Sequence, residues 1–345
     1  MKLIIASSYV PFVTGGARHI VDWLAAKLRA QGHEVESFLL PFVDDPETML
    51  AQIAGWRLID LSDRCDRLIC IRPPAYVLRH PHKLVWFIHH FRVFYDLWDT
   101  ALCYLPHDAR TLAVRRALME LDTEALGEAA QVYALSGTVQ DRLRRFNGLE
   151  TPILYQPLLE PERFRSGDHG DAVVLVARLE AYKRQHLLVE AMRHVKTGVR
   201  LHLCGASAEP EYTDQLKALI ERHGLAGKVT LESRWIAEER KQEVIAGALA
   251  VANIAIDEDS FAYVSLEACY AEKPIITSTD AGGVLELVRD GVNGLVAEPT
   301  AQALAAAFDR LYLDRALAAR MGKANRARID EMGIGWDKVL HAMTA

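Results

Sequence analysis

Short runs of apolar residues alternate with longer amphipathic stretches along the whole chain. This alternation predicts β-strands connected by helices, which is the pattern of a parallel α/β fold. In the first part of the chain it predicts a helix over Gly16–Ala30, followed by Gly32 at a position where helices commonly end. The strands of this part are predicted at Leu3–Ser7, Glu34–Leu40, Arg67–Ile71, Lys83–Ile88 and Val132–Leu135.

The same pattern begins again at residue 172 and continues almost to the end of the chain. Its strands are predicted at Ala172–Ala177, Arg200–Cys204, Lys228–Leu231, Leu249–Ile254 and Pro274–Thr277. The predicted fold class is therefore α/β with two similar domains, over residues 1–165 and 166–330. A last helix within 331–345 comes after the second domain is complete, and we expect it to pack back on the first domain.

The composition disfavours several classes of protein and indicates the cellular compartment. Half of the 345 residues are hydrophobic and the net charge is −6, so the chain lacks the basic field that would hold nucleic acid. The five cysteines are scattered without a CxxC or Cys/His cluster, which predicts reduced thiols and neither a disulfide nor a zinc site. The first apolar run ends at Ser7, and no run approaches the roughly 20 residues that span a bilayer. We therefore expect a cytoplasmic protein.

A glycine turn, Thr14-Gly15-Gly16, joins the first strand to the first helix. Glycines at such a junction let backbone N–H groups face an anion, and the helix N-terminus adds a partial positive charge. A simple tight turn explains the same residues equally well. The turn lacks the GxGxxG pattern of dinucleotide-binding proteins, and no suitable acidic residue follows the second strand, which disfavours a dehydrogenase.

Two cations, Arg178 and Lys183, follow the first strand of the second domain. Ligands collect at this edge of a parallel sheet, beyond the carboxyl ends of the strands. An arginine that forks to two oxygens and a lysine that acts as a point charge would suit a diphosphate. An ordinary solvated pair of cations is the alternative, and this segment alone does not decide between them.

An acidic loop over residues 257–259 leads into an apolar helix and is the densest signal in the chain. Asp259 is predicted at the start of that helix and Glu267 about two turns inside it, roughly 12 Å away along the axis if all positions are helical. That span suits a sugar at one end and a ribose at the other, with phosphates received by backbone N–H groups of Val264 and Ser265. Because Glu267 lies among core residues, it needs a partner, either a ribose diol or a structural group such as a backbone amide or an arginine.

A second glycine pair, Gly282-Gly283, also lies where a predicted strand gives way to a helix. It predicts a second ligand-facing turn in the same domain, although simple helix capping would explain it too.

In their order and spacing, these features resemble the large retaining family of GT-B glycosyltransferases of the group 1 type, which includes bacterial polysaccharide and glycolipid glycosyltransferases. The matching features run over most of the chain. They are Gly15-Gly16, the histidine after residues 85–88, Ser136, Arg178 with Lys183, Gly205, the acidic-loop helix, Gly282-Gly283 and the segment 290–296. The resemblance implies two Rossmann-like domains whose parallel sheets face each other across a central cleft, with the acceptor on the first domain and the donor on the second.

The resemblance also implies a role for each matching residue. Arg178 and Lys183 would hold the diphosphate of a nucleotide-sugar donor, Glu267 would bind its ribose and Asp259 its hexose. His89 would lie near the anomeric carbon, with His90 as a second candidate. The other donor-binding positions would be Gly15, Gly16, Gly205, Val264, Ser265, Gly282 and Gly283. Neither a metal nor another cofactor is expected. The resemblance also implies that the leaving phosphate itself takes the proton of the acceptor, so that no protein base is required.

The chain departs from the family pattern at the first carboxylate. Asp259 stands where a glutamate is usual, and Ser260-Phe261-Ala262 replaces the customary Gly-Phe-Gly, which leaves open an unusual donor or an impaired relative. A nucleotide-sugar epimerase, which can share the double-Rossmann shape, is one alternative function. A non-catalytic protein that only binds nucleotide sugar is the other.

The acceptor is expected to be a glycan, a lipid-linked sugar or a small molecule, and the sequence does not select the nucleotide or the sugar. Many relatives act at the inner face of the membrane. Arg142, Arg144 and Arg145 would suit a small basic face for anionic lipid, although an ordinary solvated helix face explains them as well.

Overall fold

The computed structural model describes residues 1–11, 15–207 and 210–345, so Thr14 of the first glycine turn lies outside the described residues. The chain divides into two compact units. The first unit comprises Met1–Pro157 together with Gly335–Ala345, and the second comprises Leu158–Ile334. The division after Pro157 falls somewhat before residue 165, where the sequence analysis set the domain boundary.

The first unit is a five-stranded parallel sheet flanked by helices. Its strands are β1 Lys2–Tyr9, β2 Glu34–Pro41, β3 Arg67–Cys70, β4 Lys83–Phe87 and β5 Gln131–Ala134. Its helices are α1 Gly16–Ala30, α2 Met49–Arg57, α3 Ala109–Gly127 and α4 Gly137–Asn147. The strand order is β2-β1-β3-β4-β5, and every pairing is parallel. The strand order therefore reverses between β1 and β3, the place where parallel sheets bind ligands.

The second unit is a six-stranded parallel sheet. Its strands are β6 Ala172–Val176, β7 Arg200–Cys204, β8 Val229–Glu232, β9 Ala250–Ala252, β10 Ile275–Ser278 and β11 Gly294–Ala297. Its helices are α5 Gln185–Ala191, α6 Pro210–Arg222, α7 Glu238–Ala246, α8 Tyr263–Tyr270, α9 Val284–Leu287, α10 Ala301–Leu313 and α11 Arg315–Met332. The order β11-β10-β9-β6-β7-β8 reverses between β6 and β9. This is the strand order of the Rossmann sheet found in dinucleotide-binding proteins.

The last helix, α12 Trp336–Thr344, belongs to the first unit. Its Val339 and Met343 are fully buried, and Arg67 on β3 donates to the Met343 carbonyl at 2.8 Å. The Lys27 ammonium lies 5.9 Å from the centre of the Trp336 ring. The end of the chain is therefore part of the core of the first unit.

Each unit has its own apolar core, as expected when both faces of a parallel sheet are covered by helices. In the second unit Leu201 and Leu203 of β7 are fully buried, as is Leu188 of α5. In the first unit Val85 and Phe87 of β4 are fully buried. None of the helices in the described ranges is long and apolar enough to cross a bilayer.

Candidate functional site

The two loops that flank the strand reversal of the second unit carry the two predicted cations and one of the predicted carboxylates, Asp259. Residues 177–184 follow β6, and residues 253–262 follow β9. Because adjacent parallel strands end at the same edge of a sheet, the two loops meet there. The backbone N–H of Ile256 donates to the Tyr182 carbonyl at 3.0 Å and joins them directly.

Lys183 and the acidic loop form a nearly buried ion pair. The Lys183 ammonium contacts the carboxylate of Glu258, and the two side chains are only 13% and 16% exposed. The ammonium also lies 4.9 Å from the centre of the Tyr182 ring. The structure therefore brings Lys183 together with the loop that carries Asp259, but its direct partner is the neighbouring residue, Glu258.

Arg178 lies in the same loop with more of its side chain in solvent. Its guanidinium pairs with Glu180 at 2.7 Å and reaches the Tyr182 hydroxyl at 3.4 Å, while the side chain remains 52% exposed. Burial, helped by the nearby carboxylates of Glu180 and Glu258, raises the pKa of the Tyr182 phenol. Both predicted cations are thus matched by a protein carboxylate.

A third cation of the same run, Arg184, has a structural role. Its guanidinium forks to both carboxylate oxygens of Asp280, at 2.7 and 2.6 Å. This pairing is the main reason why the pKa of the Asp280 carboxyl is lowered. Arg184 therefore fastens the turn after β10 to the loop after β6.

The two glycines of the second turn are explained by the close approach of the acidic loop. A Cβ on Gly282, where φ is +73°, would lie 2.5 Å from the Glu258 carbonyl oxygen. A Cβ on Gly283 would lie 2.5 Å from the Cα of Ser260, and the Gly283 N–H donates to the Glu258 carbonyl at 2.8 Å. These contacts are with protein rather than with a ligand, so a donor-binding role for Gly282 and Gly283 stays a prediction.

Gly205 is required for a similar reason. A Cβ there would lie 1.8 Å from the Ala177 carbonyl oxygen, so the ends of β6 and β7 can approach only if residue 205 has no side chain. The backbone N–H of Gly205 donates to the Glu232 carbonyl at 3.0 Å. The N–H groups of Ala177 and Leu179 donate to the carbonyls of Cys204 and Ala206, each at 3.0 Å, so the loop that carries Arg178 is fixed against the end of β7.

Helix α8 begins later than predicted, at Tyr263, so Asp259 lies in the loop and not at the helix start. The separation of about 12 Å between Asp259 and Glu267 assumed a continuous helix and was wrong on that point. Glu267 lies little more than one turn inside α8. The Ser265 N–H donates to the Ala262 carbonyl at 2.8 Å, and the Ser265 hydroxyl accepts from Asn253, so Ser265 is engaged within the protein.

Glu267 is buried and has a protein partner that the sequence analysis did not identify. The Lys241 ammonium of α7 lies 2.6 Å from Glu267 Oε1 and 2.8 Å from Glu238. Glu267 is 3% exposed, and this burial raises the pKa of its carboxyl in spite of the opposing effect of Lys241. The partner is thus a lysine, where the sequence suggested a backbone group or an arginine as the structural alternative to a ribose.

In the first unit, His89 and His90 differ sharply. His90 is buried among aromatic rings, with Nε2 2.8 Å from the Asn147 side-chain oxygen, and burial lowers its pKa to about 4. It is a neutral core residue and does not suit the role of second candidate. His89 is partly exposed, and its Nδ1 lies 2.7 Å from the His90 carbonyl oxygen. Since a carbonyl only accepts, Nδ1 carries the proton and Nε2 is the acceptor nitrogen of the neutral ring.

Gly15 caps α1 in extended conformation, and Gly16 is the first residue of that helix. A Cβ on Gly15 would meet nothing within 4 Å, so packing does not require a glycine at this position. The loop lies after β1, beside the strand reversal of the first sheet. A role for Gly15 and Gly16 in anion binding stays a prediction.

The predicted basic face for lipid is wrong for Arg142. This side chain is 9% exposed and pairs at 3.2 Å with Asp96, whose side chain is 8% exposed, because residue 142 lies on the inner side of α4. Arg144 is exposed but contacts two carboxylates, Asp141 and Glu150, each at 2.6 Å. The three arginines therefore do not share one free cationic surface.

A family model described as "Glycosyl transferases group 1" matches residues 160–328. A D-inositol 3-phosphate glycosyltransferase of Xylanimonas cellulosilytica is 29% identical over 173 residues, which cover 50% of this chain and 40% of the relative. The alpha-1,3/1,6-mannosyltransferase ALG2 of Homo sapiens is 27% identical over 169 residues, which cover 45% and 40%. The chain thus spans about two fifths of the length of these curated relatives.

Solved structures resemble the chain over nearly its whole length. HepE of Anabaena, solved in complex with UDP, superimposes with a TM-score of 0.76 at 18% identity and covers 99% of this chain and 98% of its own. The same protein solved with UDP-glucose gives a TM-score of 0.73 at 18% identity, covering 99% and 98%. At such low identity the likeness establishes the fold, which is the predicted GT-B type with two Rossmann-like domains. The match to the group 1 glycosyl transferase model covers residues 160–328, which hold the cation loop, the acidic loop and α8.

Proposed function

We propose that this protein is a retaining glycosyltransferase that moves a hexosyl group from a nucleotide-diphosphate sugar to a glycan, glycolipid or small-molecule acceptor. The observation that carries the proposal is the meeting of Lys183 with the acidic loop at the strand reversal of the second sheet. The relatives support it, since they are named as glycosyltransferases and HepE was solved with UDP and UDP-glucose.

In this proposal the donor diphosphate binds between the loop after β6 and the N-terminus of α8. Lys183 has three N–H donors, so it can keep its contact with Glu258 while it donates to a phosphate oxygen. Arg178, whose side chain is half exposed, can turn from Glu180 toward the second phosphate. The N–H groups of the first turn of α8, including that of Val264, add a partial positive charge.

Glu267 is proposed to bind the ribose. One of its oxygens accepts from Lys241, but a carboxylate offers about four lone-pair sites, so the other oxygen can accept from a hydroxyl. Lys241 is then a positioning residue, because it keeps the buried carboxylate charged and oriented. Asp259 is proposed to accept from the hexose hydroxyls.

His89 is proposed to contact the sugar near its anomeric carbon. The proton on Nδ1 is fixed by the His90 carbonyl, so Nε2 can accept a hydrogen bond from a sugar hydroxyl. As the bond between sugar and phosphate stretches, negative charge grows on the leaving diphosphate, where Arg178 and Lys183 stabilise it. The leaving phosphate takes the acceptor proton, so no protein base is required, and the two cations stand in the place of a metal at the diphosphate. We propose a cytoplasmic location, with the acceptor side at the inner membrane face if the acceptor is a lipid.

The first test measures binding of UDP, GDP and ADP by calorimetry, followed by nucleotide release from the matching sugar nucleotides with candidate acceptors. Lys183→Ala should bind the preferred diphosphate more weakly and lower turnover by about a hundred- to a thousand-fold, as expected for loss of a preorganised charge. Lys217→Ala is the matched control, because Lys217 lies on an exposed helix face in a pair with Asp214. Unchanged affinity and turnover in Lys183→Ala would exclude the assignment.

The Lys183→Ala variant removes a cation and also leaves the Glu258 carboxylate without its partner. A second variant distinguishes these two effects. Glu258→Gln keeps an acceptor for Lys183 but removes one negative charge beside the proposed phosphates. It should bind nucleoside diphosphate at least as tightly as the native protein.

The two alternative functions give different products in the same assays. An epimerase would change the sugar nucleotide without any acceptor, and a non-catalytic relative would bind the donor without releasing nucleotide.

A further inference from the structure

Strand β7 carries polar side chains where a buried parallel strand is usually apolar on both faces. Its sequence alternates Leu201-His202-Leu203-Cys204. The leucines enter the main core of the second unit, so His202 and Cys204 point to the opposite face of the sheet. Cys204 is fully buried there, beneath Val244 of α7.

The register of the sheet adds a carboxylate to this pair. Cys204 lies directly opposite Glu232, the last residue of the edge strand β8. A ring nitrogen of His202, the thiol sulfur of Cys204 and a carboxylate oxygen of Glu232 all lie within 4.8 Å of one another. His202 Nε2 is 3.5 Å from Glu232 Oε1, and the two side chains are 15% and 18% exposed.

Two of these polar atoms are buried without a conventional hydrogen-bond partner among the described residues. They are His202 Nε2 and Glu232 Oε2. Buried polar atoms are normally satisfied, so two that converge beside a thiol indicate a ligand able to satisfy both. An imidazole, a thiolate and a carboxylate are the ligand types that proteins use for zinc.

We propose that His202, Cys204 and Glu232 form a binding site for a divalent cation of the zinc class. The three side chains supply one nitrogen, one sulfur and one oxygen, and a water molecule completes the tetrahedron. Binding replaces the thiol proton of Cys204 by the metal, and that proton passes to the solvent. The proposal is independent of the glycosyl-transfer function.

Arg240 of α7 is the charge that competes with the metal. Its guanidinium lies 3.3 Å from Glu232 and 3.3 Å from Glu243, and its side chain is 48% exposed. These contacts are long, and Arg240 can keep Glu243 when a metal takes Glu232. The metal would tie the edge strand to β7 at the point where the Gly205 N–H donates to the Glu232 carbonyl.

Titration of the metal-free protein with Co²⁺ and with Zn²⁺ tests the site. Co²⁺ should bind at one equivalent and give a thiolate-to-metal charge-transfer band, and Zn²⁺ should displace it and raise Tm. Cys204→Ala should lose the band, whereas the control Cys269→Ala, which removes another buried thiol, should keep it. His202→Gln, which keeps the thiol, should weaken binding by at least about tenfold, and Arg240→Gln should strengthen it.

Absence of the band from the native protein would overturn the proposal. A band that survives in Cys204→Ala would also overturn it, because the thiolate would then come from another cysteine. Binding without a band, unaffected by either ligand variant, would indicate surface histidines and have the same consequence.

Discussion

Replacing Lys241 by methionine tests how the buried carboxylate of Glu267 is stabilised. Methionine keeps most of the length of the aliphatic stem but removes the ammonium, which lies 2.6 Å from Glu267 Oε1 and 5.7 Å from the centre of the Phe164 ring. Burial already raises the pKa of the Glu267 carboxyl, and Lys241 opposes that effect. Without the ammonium the pKa rises further, and the carboxyl takes up a proton rather than remain charged and unpaired.

This proton uptake sets an upper limit on the pH-dependent part of the loss of stability. Protonating a carboxyl of ordinary pKa 4.5 at pH 7 costs about 1.4 kcal/mol for each pH unit between the two values, or about 3.4 kcal/mol. At pH 5 the same limit is about 0.7 kcal/mol. A carboxyl whose pKa is raised by folding loses stability as the pH rises above its unfolded value, so the variant should be weakest at neutral and alkaline pH.

Differential scanning calorimetry at pH 5 and pH 7 measures the effect. We expect Lys241→Met to lower the free energy of unfolding by about 2–3 kcal/mol at pH 7, which lowers Tm by roughly 4–12 °C. The loss should fall below about 1 kcal/mol at pH 5. Lys217→Met removes the exposed pair with Asp214 and should be nearly neutral at both pH values.

The double variant Lys241→Met/Glu267→Gln should recover most of the pH-dependent loss, since its side chain carries no charge to be buried. Equal destabilisation at pH 5 and pH 7 would refute the reasoning, because lost packing does not depend on protonation. Failure of the glutamine to restore stability at pH 7 would do the same.

Two further substitutions test other parts of the fold by thermal unfolding. Gly205→Ala places a methyl group 1.8 Å from the Ala177 carbonyl oxygen and should lower the free energy of unfolding by about 3 kcal/mol or more. Gly227→Ala, which has open space around it, should be nearly neutral. Similar Tm values for the two variants would contradict the close approach at Gly205. Burial raises the pKa of the Asp122 carboxyl from 3.8 to about 7, so the native protein should lose stability as the pH rises from about 4 to about 7, and Asp122→Asn should lose less. Parallel pH profiles of the two proteins would show that the carboxyl does not titrate in this range.

The local pattern of apolar runs and helix caps was sufficient to predict most of the fold. Helix Gly16–Ala30 and strand Arg200–Cys204 match the prediction residue for residue, because caps and apolar runs mark their ends clearly. Strand β9 is shorter than the apolar run that predicted it, by one residue at its start and two at its end, although the Asn253 N–H still donates to the Ile276 carbonyl of β10 at 2.9 Å. Strand β11 was not predicted as a strand, because its four residues form too short a run to be recognised without the neighbouring strand β10.

The sequence located the loops of the candidate site but not the partners of their charges. Lys183 and Asp259 could be found because they follow apolar strands, and parallel topology brings such loops together. The pairing of Lys183 with Glu258 depends on how the two loops pack, which no local spacing encodes. Lys241 lies on a helix whose sequence is ordinary for a solvated surface, so nothing marked it as the partner of Glu267.

The residues of the proposed metal site on β7 and β8 are even harder to find from the sequence than the partners of these charges. His202 and Cys204 are two residues apart, a spacing that is not a common metal motif, and Glu232 lies far along the chain. Only the pairing of the two strands places these side chains on one face. The expectation that the scattered cysteines hold no metal was drawn without that pairing, and the proposed site departs from it.

Because α12 completes the core of the first unit, the polypeptide passes between the units twice, after Pro157 and again after Ile334. A protease that cut either connection would leave the halves joined by the other. A fragment that stopped at Pro157 would lack Val339 and Met343, so it would be an incomplete domain even though it contains every strand of its sheet. Loss of residues 335–345 should therefore damage the amino-terminal half of the molecule first.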